Sequence, residues 1–307
     1  MKIYLSKINE SWIVDRVRKE WYQNNWEIST KNIRNSDIIW IISPWLWRNI
    51  PTKYLTSKKV VCSIYHIDFE NFDSTQKADF LSLDKYVDEY HVISQKTLIS
   101  LKSLTNKKIT SIPFWVNQKN YFYKENKDIL RKKLGFEANE FLVGSFQRDT
   151  EGKDLESPKL IKGPDIFIEI VNKLRENRKD LKVVLAGTRR QYVIKQLEKS
   201  NIPFKYFEMA NLKKLNDLYN ILDLYIVSSR LEGGPQAIVE CGVIKCPLIS
   251  TDVGIAKEIL SPKSIYNPNN FKTAIPDVEY AFRKSKDLSI PNGMINFVKM
   301  FRKLYES

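Results

Sequence analysis

Apolar residues follow two rhythms along this chain. Short uninterrupted apolar runs occur at residues 2–5, 37–42, 59–67, 87–94 and 109–113, then at 141–146, 181–186, 204–208, 223–228 and 247–251. Between them, apolar positions recur every three or four residues. Trp12, Ile13, Val17 and Trp21 mark a helix over residues 10–21. Helices are also expected over about 164–177, 211–220, 236–245, 271–286 and 291–305. Continuous apolar strands alternating with helices predict parallel sheets covered on both faces, an α/β fold. No repeat of short period is present, which excludes a solenoid. Residues 117–127 are polar and aromatic without a period and are taken as an interdomain link. A chain of 307 residues accommodates two domains, placed at residues 1–118 and 119–289.

The most informative stretch runs over residues 223–254. It reads as strand, glycine turn, helix and strand. Gly233 and Gly234 are expected to make a tight turn that a Cβ would resist. Pro235 is expected as the first helical residue, with Gln236 next. A helix opening directly off such a turn presents free N–H groups and a positive dipole end, which suits a phosphate. Glu232 and Glu240 flank the turn. Eight positions on a 3.6-residue helix do not share a face, so a ligand lying across the helix mouth is their expected common target.

Residues 232–240, Glu-Gly-Gly-Pro-Gln-Ala-Ile-Val-Glu, followed by Cys-Pro-Leu-Ile-Ser-Thr-Asp-Val-Gly at 246–254, resemble the donor-site signature of family-4 retaining glycosyltransferases. That resemblance implies the GT-B fold, two Rossmann-like domains with parallel sheets facing a central cleft. It implies that Glu232 contacts the donor sugar, Glu240 the nucleotide ribose, and the Gly233 and Gly234 amides the diphosphate. It also implies a terminal helix, about 290–307, packed back on the first domain. Lys245 departs from the pattern, because the family often has glycine there.

Other candidates follow from strand ends, where open α/β sheets place ligands. Arg148 follows the run 141–146, and Lys162-Gly163 comes later in a long loop; both match family positions for cations that face the departing diphosphate. Lys159 and Lys153 are alternatives for the lysine. Gly187 and Thr188 follow the run 181–186 and are counted with the donor-binding residues. Residues 189–190 continue that loop, and 208–210 end the next run. In the first domain, His66 near the end of 59–67 resembles a family histidine close to the donor sugar, while His91 is expected to be packed or at an edge. Trp45 and Trp47 flank a turn and are candidates to line the acceptor site. Trp12, Trp21 and Trp40 read as core.

Composition narrows the rest. The net charge is +14, with 17 basic against 12 acidic residues in 1–118 and 33 against 24 in the remainder. The excess is spread over both halves and forms no stripe, which argues against nucleic acid as partner. It is compatible with peripheral contact with an anionic membrane surface. Cys62, Cys241 and Cys246 lack ligand spacing and are expected as buried thiols in a reducing cytoplasm. No apolar run is long enough to span a membrane, and the first residues are too polar for a signal peptide. The resulting expectation is a cytoplasmic, metal-independent retaining glycosyltransferase of the hexosyl type. It needs no cofactor, takes a nucleotide-sugar as donor, and transfers to a saccharide or lipid-linked glycan. A GT-B epimerase or phosphorylase, and a non-catalytic glycan-binding or partner-binding module, are the alternatives.

Overall fold

The computed structural model describes residues 1–7 and 13–307. The chain forms two compact units, Met1–Trp115 with Ile290–Ser307, and Val116–Ser289. The expected helical positions of Glu10 and Trp12 lie outside the described residues.

In the first unit, β1 (Ile3–Leu5), β2 (Ile38–Ile41), β3 (Lys59–Ile64), β4 (Glu89–Val92) and β5 (Lys108–Ser111) form a parallel sheet in that order. The helices are α1 (Ile13–Asn24), α2 (Thr52–Leu55), α3 (Ser74–Asp84) and α4 (Gln95–Lys102). Strand alternation divides the apolar run of β2 between two faces. Ile39 and Ile41 join Cys62, Ile64, Leu83, Tyr90 and Leu101 on one side. Trp40 points to the other, where its ring meets Trp21 of α1 at 5.3 Å. It also meets Phe297 at 5.3 Å and Phe301 at 5.2 Å. Both phenylalanines belong to the terminal helix (Asn292–Glu306), which buries Met294, Phe297, Met300, Phe301 and Leu304 as one apolar stripe.

The strand expected over 59–67 ends at Ile64, because its partner β4 ends opposite it at Val92. His66 therefore lies in the loop beyond the strand, and it is exposed. His91 is wholly buried. Trp40 Nε1 donates to Ser63 Oγ at 2.8 Å, and Ser63 Oγ lies 2.8 Å from His91 Nδ1. His91 Nε2 lies 2.8 Å from the Ile112 carbonyl. A carbonyl only accepts, so Nε2 carries the proton and Nδ1 accepts from Ser63. Burial pulls this imidazole down to about 4.

The second unit holds β6 (Phe141–Ser145), β7 (Thr150–Glu151), β8 (Ser157–Pro158), β9 (Leu181–Ala186), β10 (Phe204–Phe207), β11 (Leu224–Val227), β12 (Leu248–Thr251) and β13 (Ile265–Tyr266). Its helices are α5 (Lys127–Lys133), α6 (Pro164–Asn177), α7 (Gln191–Lys199), α8 (Leu212–Ile221), α9 (Gln236–Ile244), α10 (Ala256–Ile259) and α11 (Val278–Lys286). The main sheet is parallel, in the order β10-β9-β6-β11-β12-β13. From β6 the chain moves outward through β9 and β10, then returns to β11 on the opposite side of β6. The strand order reverses between β6 and β11, and a crevice at such a switch point is where these sheets bind ligands.

Three local expectations are corrected here. The long loop after β6 is folded, because β7 and β8 pair as an antiparallel hairpin. Residues 117–127 are strapped along α8: Tyr121 is buried, and the Phe122 and Lys124 N–H groups donate to the side chains of Asn216 and Asn220. The helix expected over 271–286 is broken. A 3-10 segment, Pro268–Thr273, precedes an extended stretch, and α11 starts only at Val278, capped by Asp277. Pro276 supplies the reason, since it has no N–H and disfavours helical backbone at Ile275.

Candidate functional site

Three segments converge at the switch point between β6 and β11. The first leaves β6 as Phe146, Gln147 and Arg148. The second is the 3-10 turn Leu160–Lys162 with Gly163, which leads into α6. The third joins β11 to α9 and contains Ser228 to Pro235. Backbone bonds hold the last two together: the Arg230 and Leu231 N–H groups both donate to the Ile161 carbonyl, at 2.8 and 3.2 Å. Gly163 allows this approach. Its φ is +60°, and a Cβ there would stand 1.8 Å from the Ser228 carbonyl oxygen.

At the centre, the Lys162 ammonium pairs with the Glu232 carboxylate; their side chains are 20% and 15% exposed. Ser229 Oγ lies 3.2 Å from the same carboxylate oxygen and 3.1 Å from Gln147 Oε1. Gln147 Nε2 donates to the Lys162 carbonyl at 2.7 Å. Glu232 and Lys162, 70 residues apart in sequence, thus form one hydrogen-bonded group with Gln147 and Ser229. Sequence reasoning missed Gln147 and Ser229, because neither residue type nor spacing marks them before β6 and β11 become neighbours.

Arg148 is exposed, and its Nε donates to the Thr150 carbonyl at 3.0 Å. Lys159 is half-buried at the foot of β8, with its N–H on the Asp149 carbonyl at 2.8 Å. Lys153 lies exposed in the turn of the hairpin. The loop is anchored from below by an ion pair that the sequence did not reveal. Arg190 and Asp149 are both buried and joined through Arg190 Nε, and Arg190 Nη1 also donates to the Ala186 carbonyl at 3.0 Å. Arg190 is thus an interior residue and not a group facing a ligand. Gly187, at φ +87°, takes its place at the end of β9, and Thr188 beside it is exposed.

The glycine turn differs from its expected form. Gly233 and Gly234 are not in the left-handed region; the left-handed residue is Gly254, at φ +50°. A Cβ on Gly254 would lie 2.6 Å from the Gly233 carbonyl oxygen and 3.0 Å from that of Glu232. The missing Cβ that matters is therefore on the loop packed against the turn. Pro235 is the N-cap of α9, not its first residue, and Gln236 opens the helix. The α9 N-terminus still directs its first N–H groups out of the turn. Lys245 closes α9 in the left-handed conformation, at φ +61°.

Glu240 is buried inside α9, and Tyr219 of α8 donates its hydroxyl to the carboxylate at 2.9 Å. Burial, and then the charge of Glu240, push the Tyr219 phenol well above its usual range, so Tyr219 stays a donor. Its ring packs on Phe146 at 4.8 Å and Tyr225 at 5.3 Å. Thr251 Oγ1 donates to the Ser229 carbonyl at 2.6 Å, which ties β12 to the same loop.

In the first unit, Trp45 is 47% exposed but Trp47 is buried, and its Nε1 lies 3.3 Å from Asp79. Trp47 therefore serves the core and not a binding surface. The three cysteines are free and buried. Among the described residues, no group of three or more His, Cys, Asp or Glu side chains is arranged to hold a metal ion. No helix among them is long and apolar enough to cross a membrane.

No curated protein sequence matches the chain. Among solved structures, Anabaena HepE in complex with UDP and glucose is similar at 13% identity, with a TM-score of 0.75 over 98% of this chain and 99% of that one. Sucrose-phosphate synthase from Thermosynechococcus elongatus is similar at 12% identity, with a TM-score of 0.73 over 98% and 81%. A glycosyltransferase from Rickettsia africae is similar at 17% identity, with a TM-score of 0.64 over 97% and 84%. At these identities the likeness is one of fold, and the fold is GT-B. Residues 157–288, which carry Lys162, Glu232 and Glu240 but not Arg148, match the family model described as glycosyl transferases group 1.

Proposed function

We propose that this chain is a retaining glycosyltransferase of family-4 type that moves a hexose from a nucleotide-sugar to a saccharide or lipid-linked glycan. The observation that carries this reading is the Lys162–Glu232 pair at the β6/β11 switch point, in the loops that also lead to Arg148 and to the α9 N-terminus. Positive charge at that place offsets the negative charge that builds on a departing nucleoside diphosphate. Arg148 and Lys162 serve the diphosphate, together with the amides of Gly233, Gly234 and Gln236. Glu240, aligned by Tyr219, takes the ribose hydroxyls. Gly187 and Thr188 line the donor side, Glu232 meets the sugar, and His66 keeps the place close to the donor sugar that the resemblance implies. HepE has been solved with UDP-glucose, so UDP-sugars are the first donors to try.

Cations held by the protein do here the work that a divalent ion does in other transferases, so turnover is expected without added metal. The test is incubation with a panel of nucleotide-sugars in excess chelator, following release of nucleoside diphosphate with and without saccharide acceptors. Release that requires an acceptor and survives EDTA supports the reading. Complete loss with EDTA, restored by manganese, would assign a different transferase mechanism. Silence toward every donor would leave a binding module.

A further inference from the structure

We propose that Lys159 is a third anion-binding cation of this site, gripping the donor diphosphate beside Arg148 while Lys162 is engaged with Glu232. The inference rests on the nucleotide-sugar reading above and gives Lys159 a role beside Lys162, not in place of it.

The hairpin places Lys159. Thr150 stands opposite Pro158 in the β7–β8 ladder, so Arg148 and Lys159 emerge together at its open end. The Lys159 N–H is fixed to the Asp149 carbonyl, and Asp149 is itself held in the interior by Arg190. Lys162 follows three residues later and spends its charge on Glu232. Neither Arg148 nor Lys159 has a carboxylate within ion-pair distance among the described residues. Among the described residues Lys159 is thus a half-buried ammonium with no ion pair.

The charges around it make the same point. Its ammonium is held below its usual range by burial first, then by Arg148 and Lys162, with Glu151 and Glu232 opposing. Three cations therefore share two carboxylates, one of them already paired. An anion with two or more charges relieves that excess, and a diphosphate is such an anion. A cavity of about 460 Å³ at the ends of β11, β12 and β13 offers no such excess of charge. Its cations are compensated, Arg230 by Asp165 and Lys257 by Asp252.

The test is calorimetric titration of the full chain with UDP, GDP, ADP and inorganic pyrophosphate, using wild type, Lys159→Gln and Lys159→Arg. Lys159→Gln is expected to weaken the tightest nucleotide and pyrophosphate alike by about tenfold or more, the loss of one charge-assisted bond. Lys159→Arg is expected to restore most of it, because the charge is retained. Wild-type affinity in Lys159→Gln would overturn the inference and leave the transferase reading intact. A loss that Lys159→Arg does not repair would also overturn it, since the role would then be structural. Pyrophosphate binding that depends on Lys159, with no nucleotide bound, would support the cradle and sink the nucleotide-sugar reading. Binding of none of the four ligands would sink both.

Discussion

Two glutamates eight residues apart occupy different physical situations. Glu232 shares a hydrogen-bonded cluster with Lys162 and Ser229 at the crevice, whereas Glu240 is buried against the Tyr219 hydroxyl. Replacing Glu232 by Gln removes the counter-ion of Lys162 and leaves that lysine free for phosphate. Nucleoside diphosphate affinity should therefore hold or rise, while turnover falls on the order of 100-fold, as for a group that acts on the transition state. Glu240→Gln, and Tyr219→Phe behind it, should instead weaken donor and free nucleotide together by about 1–2 kcal/mol. Steady-state kinetics and calorimetry on the three variants check this. Identical profiles for Glu232→Gln and Glu240→Gln would refute separate roles. Both glutamates were visible in the sequence. Tyr219 was hidden within an expected helix, because its importance depends on α8 lying beside α9.

Among elements, the turns decide the site more than the helices do. The Gly-Gly pair looked like the strained point, yet neither glycine is left-handed. The left-handed positions are Gly163 and Gly254, on segments that approach the backbone of Ser228 and of Glu232 and Gly233. A Cβ at either meets backbone, which cannot rotate away. Gly163→Ala and Gly254→Ala should each cost about 2–4 kcal/mol, from left-handed strain plus overpacking, and should disturb nucleotide binding as the loop shifts. Gly234→Ala should cost less than about 1 kcal/mol of folding stability. Urea unfolding followed by far-ultraviolet circular dichroism compares the three. A cost at Gly234 equal to that at Gly163 would contradict this account of the turn. Strand runs were legible because their apolar character is continuous. The β7–β8 hairpin was not, since its residues are polar and pair over only two positions.

At the scale of the whole molecule, the two units can be followed separately. All seven tryptophans fall at or before Trp115, so their fluorescence reports the first unit alone. That unit contains the buried His91, held neutral between Ser63 and the Ile112 carbonyl. Burial lowers its pKa from 6.5 to about 4, so in this interval the unfolded state binds a proton that the folded state refuses. Stability is full above pH 6.5 and is lost as pH falls from there toward 4. Between pH 7 and pH 5, linkage gives a loss of about 2 kcal/mol from this residue. Denaturant unfolding read by tryptophan fluorescence should show that loss in wild type and lack it in His91→Gln, whatever their difference at pH 7. Equal pH dependence in the two proteins would rule out His91 as its source.

Apolar periodicity alone is enough to read the alternation of strands and helices, and with it the α/β class with parallel sheets, because burial on both faces demands uninterrupted apolar strands. The resemblance carried by residues 232–254 and by the loop after β6 also marked Glu232, Glu240, Arg148 and Lys162 as a set. Which groups meet depends on the folded arrangement of the strands. Strand order brings β6 beside β11, and that neighbourhood alone joins Lys162 to Glu232 and adds Gln147 and Ser229. Tertiary packing also turned Arg190 inward to Asp149, buried Trp47 in the core of the first unit and left Lys159 without an ion pair among the described residues. Local periodicity reports how a segment is buried. It carries no information about which distant segment lies on the other side of the contact.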